Sequence, residues 1–89
     1  MVEKDLEITN RLGLHARAAA KLVHAAAAFE SEILVVRDGD TVDAKSILGL
    51  LQLGAAQGTE IRIRCQGSDE KAALATVTEL IEDRFGEGS

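Results

Sequence analysis

The spacing of apolar residues alternates between two periods along this chain, and that alternation limits the fold more than any other feature of the sequence. Alternating or β-branched apolar segments indicate strands over residues 2–9, 33–36, 41–42 and 60–66. Apolar positions at helical spacing indicate helices over residues 16–29, 47–53 and 69–86. The resulting order, βαββαβα with mostly antiparallel strands, predicts an α+β fold in two layers with one sheet face covered.

Two features support the strand assignments. Asp38-Gly39 separates Ile33–Val36 from Thr41-Val42, a pattern typical of a tight hairpin. In the last strand Ile61, Ile63 and Cys65 alternate with charged or polar residues, so that we expect Cys65 to point into the core.

Capping residues mark the ends of the second and third helices. Ser46 precedes the apolar run 47–53 and Gly54 follows it, which predicts a short helix with a capped start and a left-handed end. Gly67-Ser68 opens the last helix, which we expect to end at Gly86.

Size and charge restrict the function. The 89 residues are enough for one domain, 1–89, but not for a large enclosed pocket, so we expect any chemistry at the surface. The net charge is −5, from 10 Lys and Arg against 15 Asp and Glu, and the aromatic residues are two Phe. Nucleic acid is therefore an unsuitable partner, because it requires a basic footprint and usually stacking rings.

The sequence predicts a cytoplasmic protein. Its single cysteine has no internal disulfide partner, and the first residues lack the pattern of a signal peptide. The longest uncharged stretch, Ser46 to Thr59, is too short and too interrupted by glycine for a membrane span, so no membrane is expected.

The start of the first helix carries an unusual cluster of cations. Arg17, Lys21 and His24 share one helical face close to His15, and no carboxylate is near them in sequence. Cations at a helix N-terminus oppose the helix dipole, and a bound anion such as phosphate would relieve this conflict. Alternatively, Arg17 and Lys21 are only the solvated face of an amphipathic helix.

The two histidines differ in setting. His15 follows Gly13 at a strand-to-helix junction, and a neutral imidazole is a competent nucleophile toward phosphorus. We expect His24 to be an exposed helix residue. His15, His24 and Cys65 lack the close paired spacing of zinc motifs, so no metal site is predicted.

The second helix is apolar nearly all round, although a helix on a small sheet buries only one face. Part of Ile47–Leu53 must therefore be exposed, which is typical of a partner surface, or it completes the core. We interpret Ser46 first as a helix cap and second as a modification site.

Three stretches carry a resemblance to a known family. Residues 8–19 contain Gly13-Leu14-His15-Ala16-Arg17, which is similar to the active-site motif of the histidine-containing phosphocarrier (HPr) family. Residues 44–51 resemble that family's serine motif and short second helix, and residues 53–61 resemble the segment leading to its last strand. The similarity extends from about residue 2 to residue 85.

The resemblance implies a fold and an activity. The fold would be an open-faced β-sandwich, a four-stranded antiparallel sheet covered on one face by three helices. The protein would accept a phosphoryl group from phospho-Enzyme I, originating in phosphoenolpyruvate, and pass it to IIA components of the bacterial phosphotransferase system. It would be a carrier without its own turnover or cofactor. His15 would accept the group on Nδ1, with Arg17 and the amide of Ala16 stabilising it.

The resemblance also implies binding and regulatory residues. Ala20, Ile47, Leu48 and Leu51 would form the surface that docks on both partners. Ser46 would be a regulatory phosphorylation site for HPr kinase/phosphorylase. We expect a monomer.

One position departs from the family motif: the proline usual after the arginine is Ala18 here, and the chain contains no proline. Residues 10–13 resemble the nitrogen-related branch of the family, whereas residues 45–47 resemble the sugar branch. A regulatory paralogue that signals by its phosphorylation state is therefore an alternative. A further alternative, of another class, is a protein-interaction or small-ligand α+β domain that is never phosphorylated.

Overall fold

Strands and helices follow each other in the predicted order in the computed structural model, which describes residues 1–88. The elements are β1 (Val2–Glu7), α1 (Ala16–Ala27), β2 (Glu32–Arg37), β3 (Asp40–Asp43), α2 (Ile47–Leu53), β4 (Glu60–Gln66) and α3 (Glu70–Glu82). A 3-10 turn, Arg84–Gly86, follows α3. Among residues 1–88, no helix has the length and apolar character needed to span a bilayer.

The four strands form one sheet in the order β1-β4-β2-β3, and every neighbouring pair is antiparallel. The register places Leu6 opposite Ile61 and Val35 opposite Ile63, so that apolar side chains align on the face toward the helices. The predicted open-faced sandwich of a four-stranded sheet and three helices is confirmed.

Apolar side chains between the sheet and the helices form the core. Alanines fill much of the inner face of α1, where Ala18, Ala19 and Ala26 are fully buried beside Leu22. Because alanine is small, the helix backbone can lie close to its neighbours. Cys65 is also fully buried, as the alternation in β4 predicts.

The outer face of the sheet carries opposite charges in register. Arg62 lies opposite Asp5 and donates from Nε to Oδ1 at 2.7 Å, and Arg64 Nε is 3.3 Å from Glu3 Oε2. The hydrogen bond from Arg62 holds the pKa of Asp5 below its usual value. This face is therefore a charged surface rather than a second hydrophobic layer.

The last helix ends earlier than predicted. α3 stops at Glu82, not at Gly86, because the backbone turns left-handed at Arg84 and Phe85, both with φ of +54°. Phe85 lies four residues after Ile81, so the sequence continues the helical spacing. The reversal instead directs Phe85 into the core, where it is fully buried.

Candidate functional site

A tight loop before α1 fixes the position of His15. Gly13 has φ of +66°, and a Cβ there would lie 2.6 Å from the carbonyl oxygen of Ala55, so both its conformation and its surroundings require glycine. The amide of Leu14 donates to that same carbonyl at 2.8 Å. Asn10 is buried, and its Nδ2 donates to Gly13 O at 2.7 Å. His15 then becomes the N-cap of α1.

The two ring nitrogens of His15 have different partners. Nδ1 accepts a hydrogen bond from the amide of Arg17 at 3.3 Å. Nε2 contacts a carboxylate oxygen of Glu87, 72 residues away in sequence. Because a carboxylate accepts and a backbone amide donates, these partners favour the tautomer with its proton on Nε2 and a lone pair on Nδ1.

An open depression of about 670 Å³ borders the His15 ring. Three cations and one carboxylate are among the residues that line it: Arg11, Leu12, His15, Ala16, Arg17, Lys21, Gly86 and Glu87. The first intrahelical hydrogen bond of α1 joins the amide of Ala19 to His15 O. The amides of Ala16 and Ala18 come before it, and amides at a helix start have no intrahelical partners. Cations and free amides together suit an anion the size of a phosphoryl group.

The structure brings His15, Ala16, Arg17 and Lys21 to this depression, but not His24. His24 is exposed on α1, as predicted. Cys65 is buried within β4, and among residues 1–88 no group of three or more His, Cys, Asp and Glu side chains is placed to hold a metal ion.

The C-terminal segment contributes residues to the site that were not predicted from the sequence. Glu87 reaches His15 and also accepts from Asn10 Nδ2 at 3.1 Å. Lys21 donates from Nζ to the carbonyl of Phe85 at 2.6 Å. No local motif indicates these contacts, since each joins residues more than 60 positions apart.

Glu87 is ionised in this environment. The hydrogen bond from His15 lowers the pKa of Glu87 below its usual value, and the hydrogen bond from Asn10 acts in the same direction. Its side chain is 12% exposed, against 25% for His15. The Glu87 carboxylate thus supplies part of the negative charge that balances the cationic cluster.

An exposed apolar patch lies on α2. Ile47, Leu48 and Leu51 are 41%, 69% and 40% exposed, and Ala20 on the adjoining α1 is exposed as well. We call these four residues the apolar patch. α1 and α2 are in contact, so the patch belongs to the same helical layer that carries His15. The expected exposure of this short helix is confirmed.

Ser46 caps α2 as predicted. Its Oγ accepts from the amide of Gly49 at 3.1 Å, and Gly54 ends the helix with φ of +63°. Ser46 directly precedes the apolar patch residue Ile47.

The sequence matches a family model over residues 2–83, described as the PTS HPr component phosphorylation site. The phosphocarrier protein HPr of Xylella fastidiosa is 49% identical over 87 residues, covering 98% of each chain. The phosphocarrier protein NPr of Shewanella violacea is 41% identical and covers 99% of this chain and 97% of its own.

Solved structures agree with the sequence matches. The crystal structure of HPr-C-His from Thermoanaerobacter tengcongensis is 45% identical, covers 98% of each chain and superposes with a TM-score of 0.95. The crystal structure of the HPr dimer from the same organism gives a TM-score of 0.79.

Proposed function

The chain belongs to the HPr phosphocarrier family of the phosphotransferase system, and from this premise we propose that it accepts a phosphoryl group on His15 from phospho-Enzyme I and passes it to IIA components in the cytoplasm. The observation that carries this proposal is the environment of His15. Its Nδ1 has a lone pair at the start of α1, beside a depression lined by three cations.

Each part of the depression has a role in this transfer. Nδ1 of His15 attacks phosphorus in line, while Arg17 and the amide of Ala16 neutralise and orient the phosphoryl oxygens. Positioning and charge neutralisation supply most of the rate in such reactions. The Arg17 amide donates to the Nδ1 lone pair in the unphosphorylated site, so this hydrogen bond breaks when Nδ1 attacks, and the released amide becomes a donor for the phosphoryl oxygens.

We propose that the apolar patch docks on both the donor and the acceptor protein. A carrier must present the same histidine ring to two partners in turn. One docking surface on the helical layer that carries the ring would allow both partners to reach it. The grouping of Ile47, Leu48 and Leu51 as exposed side chains of one short helix supports this use, because contiguous exposed apolar residues mark interaction surfaces whereas single ones do not.

Ser46 is the proposed regulatory site, with HPr kinase/phosphorylase as the partner that modifies it. A phosphate on the Ser46 hydroxyl would place about two negative charges beside the apolar patch. Acidic partners would then be repelled, and apolar contact would require desolvation of the phosphate.

The protein acts in this proposal as a carrier and not as an enzyme with its own turnover, and as a monomer. The relative named NPr supports a second candidate, a regulatory paralogue whose phosphorylation state signals to partners. The IIA component that accepts the phosphoryl group from this chain distinguishes these two functions.

The test is intact mass after incubation with phosphoenolpyruvate and Enzyme I. We expect one acid-labile phosphoryl group on the wild type and none on His15→Ala. The control is a known carrier phosphorylated by the same Enzyme I. If the control is phosphorylated and the wild type is not, the proposed function is wrong and an interaction domain without phosphorylation becomes the better interpretation.

A further inference from the structure

Contacts of the neighbouring residues hold the Glu87 carboxylate against Nε2 of His15. Phe85 is fully buried two residues before Glu87, and its carbonyl accepts from Lys21 Nζ. The amide of Glu87 donates to Arg84 O at 3.0 Å, which closes the turn. Asn10, buried under the loop before His15, donates to the second carboxylate oxygen of Glu87.

The same Asn10 side chain joins both halves of the arrangement. Its Nδ2 donates to Gly13 O in the loop that sets the backbone of His15 and to Glu87 Oε1, whose sister oxygen contacts the ring. The carboxylate and the imidazole are therefore held relative to each other by one buried group. This is the geometry of a residue that orients another side chain.

We propose that Glu87 is a positioning residue for phosphoryl transfer: its carboxylate keeps the His15 proton on Nε2, aims Nδ1 at the depression and stabilises the positive charge that the ring gains. The inference rests on the proposed function, because it assigns Glu87 a part in the same transfer.

The charge balance of the reaction explains why a carboxylate is useful. The Nδ1 lone pair leaves its hydrogen bond with the Arg17 amide and forms the bond to phosphorus. The bond between phosphorus and the donor histidine breaks at the same time, and its electron pair stays on the donor nitrogen. The Nε2 proton of His15 does not leave, so the phosphorylated ring becomes cationic. A carboxylate on Nε2 stabilises this cation, as the aspartate of a Ser-His-Asp triad stabilises an imidazolium.

Transfer of the phosphoryl group from His15 to an acceptor reverses these changes. The bond between Nδ1 and phosphorus breaks, its electron pair returns to Nδ1, and the ring is again neutral with its proton on Nε2. Glu87 remains ionised throughout, so no general base is required. The negative charge of Glu87 lies at the nitrogen opposite Nδ1, beside Lys21, which limits its repulsion of the phosphoryl group.

The test compares Glu87→Gln with Glu82→Gln. Both variants remove one carboxylate near the end of the chain, but Glu82 is exposed on α3 and does not line the His15 depression. In single-turnover transfer from phospho-Enzyme I, we expect Glu87→Gln to be slower by about tenfold, the effect of 1.4 kcal/mol on a barrier. Glu82→Gln should transfer at the wild-type rate.

A spectroscopic measurement separates positioning from a structural role. In the wild type, the Hε2 proton of His15 should be visible by NMR as a downfield signal protected from exchange and correlated to Nε2. Glu87→Gln should lose that protection, because its single carbonyl oxygen cannot accept from both Asn10 and His15 in the geometry of the two carboxylate oxygens. An unchanged urea midpoint would show that the fold is intact.

The outcomes are distinct. Wild-type transfer and an unchanged Hε2 signal in Glu87→Gln would overturn the positioning role and leave the proposed function standing. Absence of phosphorylation of the wild type itself would overturn both. Equal slowing in Glu82→Gln would show a general charge effect and would also overturn the specific role of Glu87.

Discussion

Ala18 occupies the position where the family motif has proline, and its side chain is fully buried. It is the third residue of α1, and the amide of Ala19 already bonds to His15 O. A proline at position 18 therefore removes an amide that has no intrahelical partner, as is usual for proline in a first helical turn. We propose that the amide so removed is one of the helix-start donors for the phosphoryl group.

We predict that Ala18→Pro retains phosphorylation on His15 but changes the lifetime of the phosphohistidine. Loss of one amide hydrogen bond to a charged group should speed hydrolysis, by about tenfold or more. The measurement is the decay of the phosphorylated mass at neutral pH. An unchanged hydrolysis rate in a folded variant would contradict this prediction.

The sequence alone identifies some residues of the site but not others. His15 and Arg17 are recognisable because the glycine, the histidine and the arginine lie within five positions of one another. Glu87 is not recognisable, because its partner is 72 residues away and only the fold brings them together. Asn10 has the sequence context of an ordinary turn residue. Its burial within the loop between β1 and α1 is evident only from the structure.

The helix α2 shows how a short helix can be both capped and exposed. It has seven residues, of which Leu50 and Leu53 are buried. The remaining large apolar side chains face outward because about two turns of helix against a small sheet cannot bury them. The helix depends on its cap more than a long helix does, since few internal hydrogen bonds stabilise it.

We predict that Ser46→Asp and Ser46→Asn keep the helix but differ in transfer. Both residues cap helices well, whereas Ser46→Ala should lose about 1 kcal/mol of unfolding free energy. Only Ser46→Asp adds charge beside the apolar patch, so it should slow phosphorylation by Enzyme I several-fold. Rates of transfer and urea midpoints for the three variants check both effects. Equal rates for Asp and Asn would argue against charge as the regulatory signal.

Elements are more predictable than their ends. The periods in β1, β4 and α1 identify those elements because half-buried strands and helices repeat apolar residues in different ways. The end of α3 is not predictable in this way, since Phe85 continues the helical period of Ile81 while its backbone leaves the helix. Burial in the core decides the position of Phe85, and that requires knowledge of the packed structure.

The C-terminal turn connects the core of the protein to the site. Phe85 is among the largest fully buried side chains, and the same short turn carries Glu87 to His15. Stability and site geometry are therefore coupled through a few residues near the end of the chain.

We predict that Phe85→Ala destabilises the fold by about 3–5 kcal/mol, as expected for removal of a buried aromatic ring. It should also release Glu87 and expose the Hε2 proton of His15 to exchange. Urea unfolding measures the first effect and NMR the second. Leu48→Ala is the matched control, because truncation of an exposed leucine should change stability by no more than about 0.5 kcal/mol. A loss in Phe85→Ala as small as in Leu48→Ala would show that the ring is not part of the core.

The burial of Cys65 has a practical consequence. Its side chain extends from β4 into the core. Burial, together with the Glu70 and Asp69 carboxylates, raises the pKa of the Cys65 thiol. Because Cys65 is inaccessible while the sheet and the helices are packed together, a disulfide reagent such as DTNB should react with it slowly in native buffer. The rate of that colour change reports how often the native state opens, so stability can be followed without denaturant.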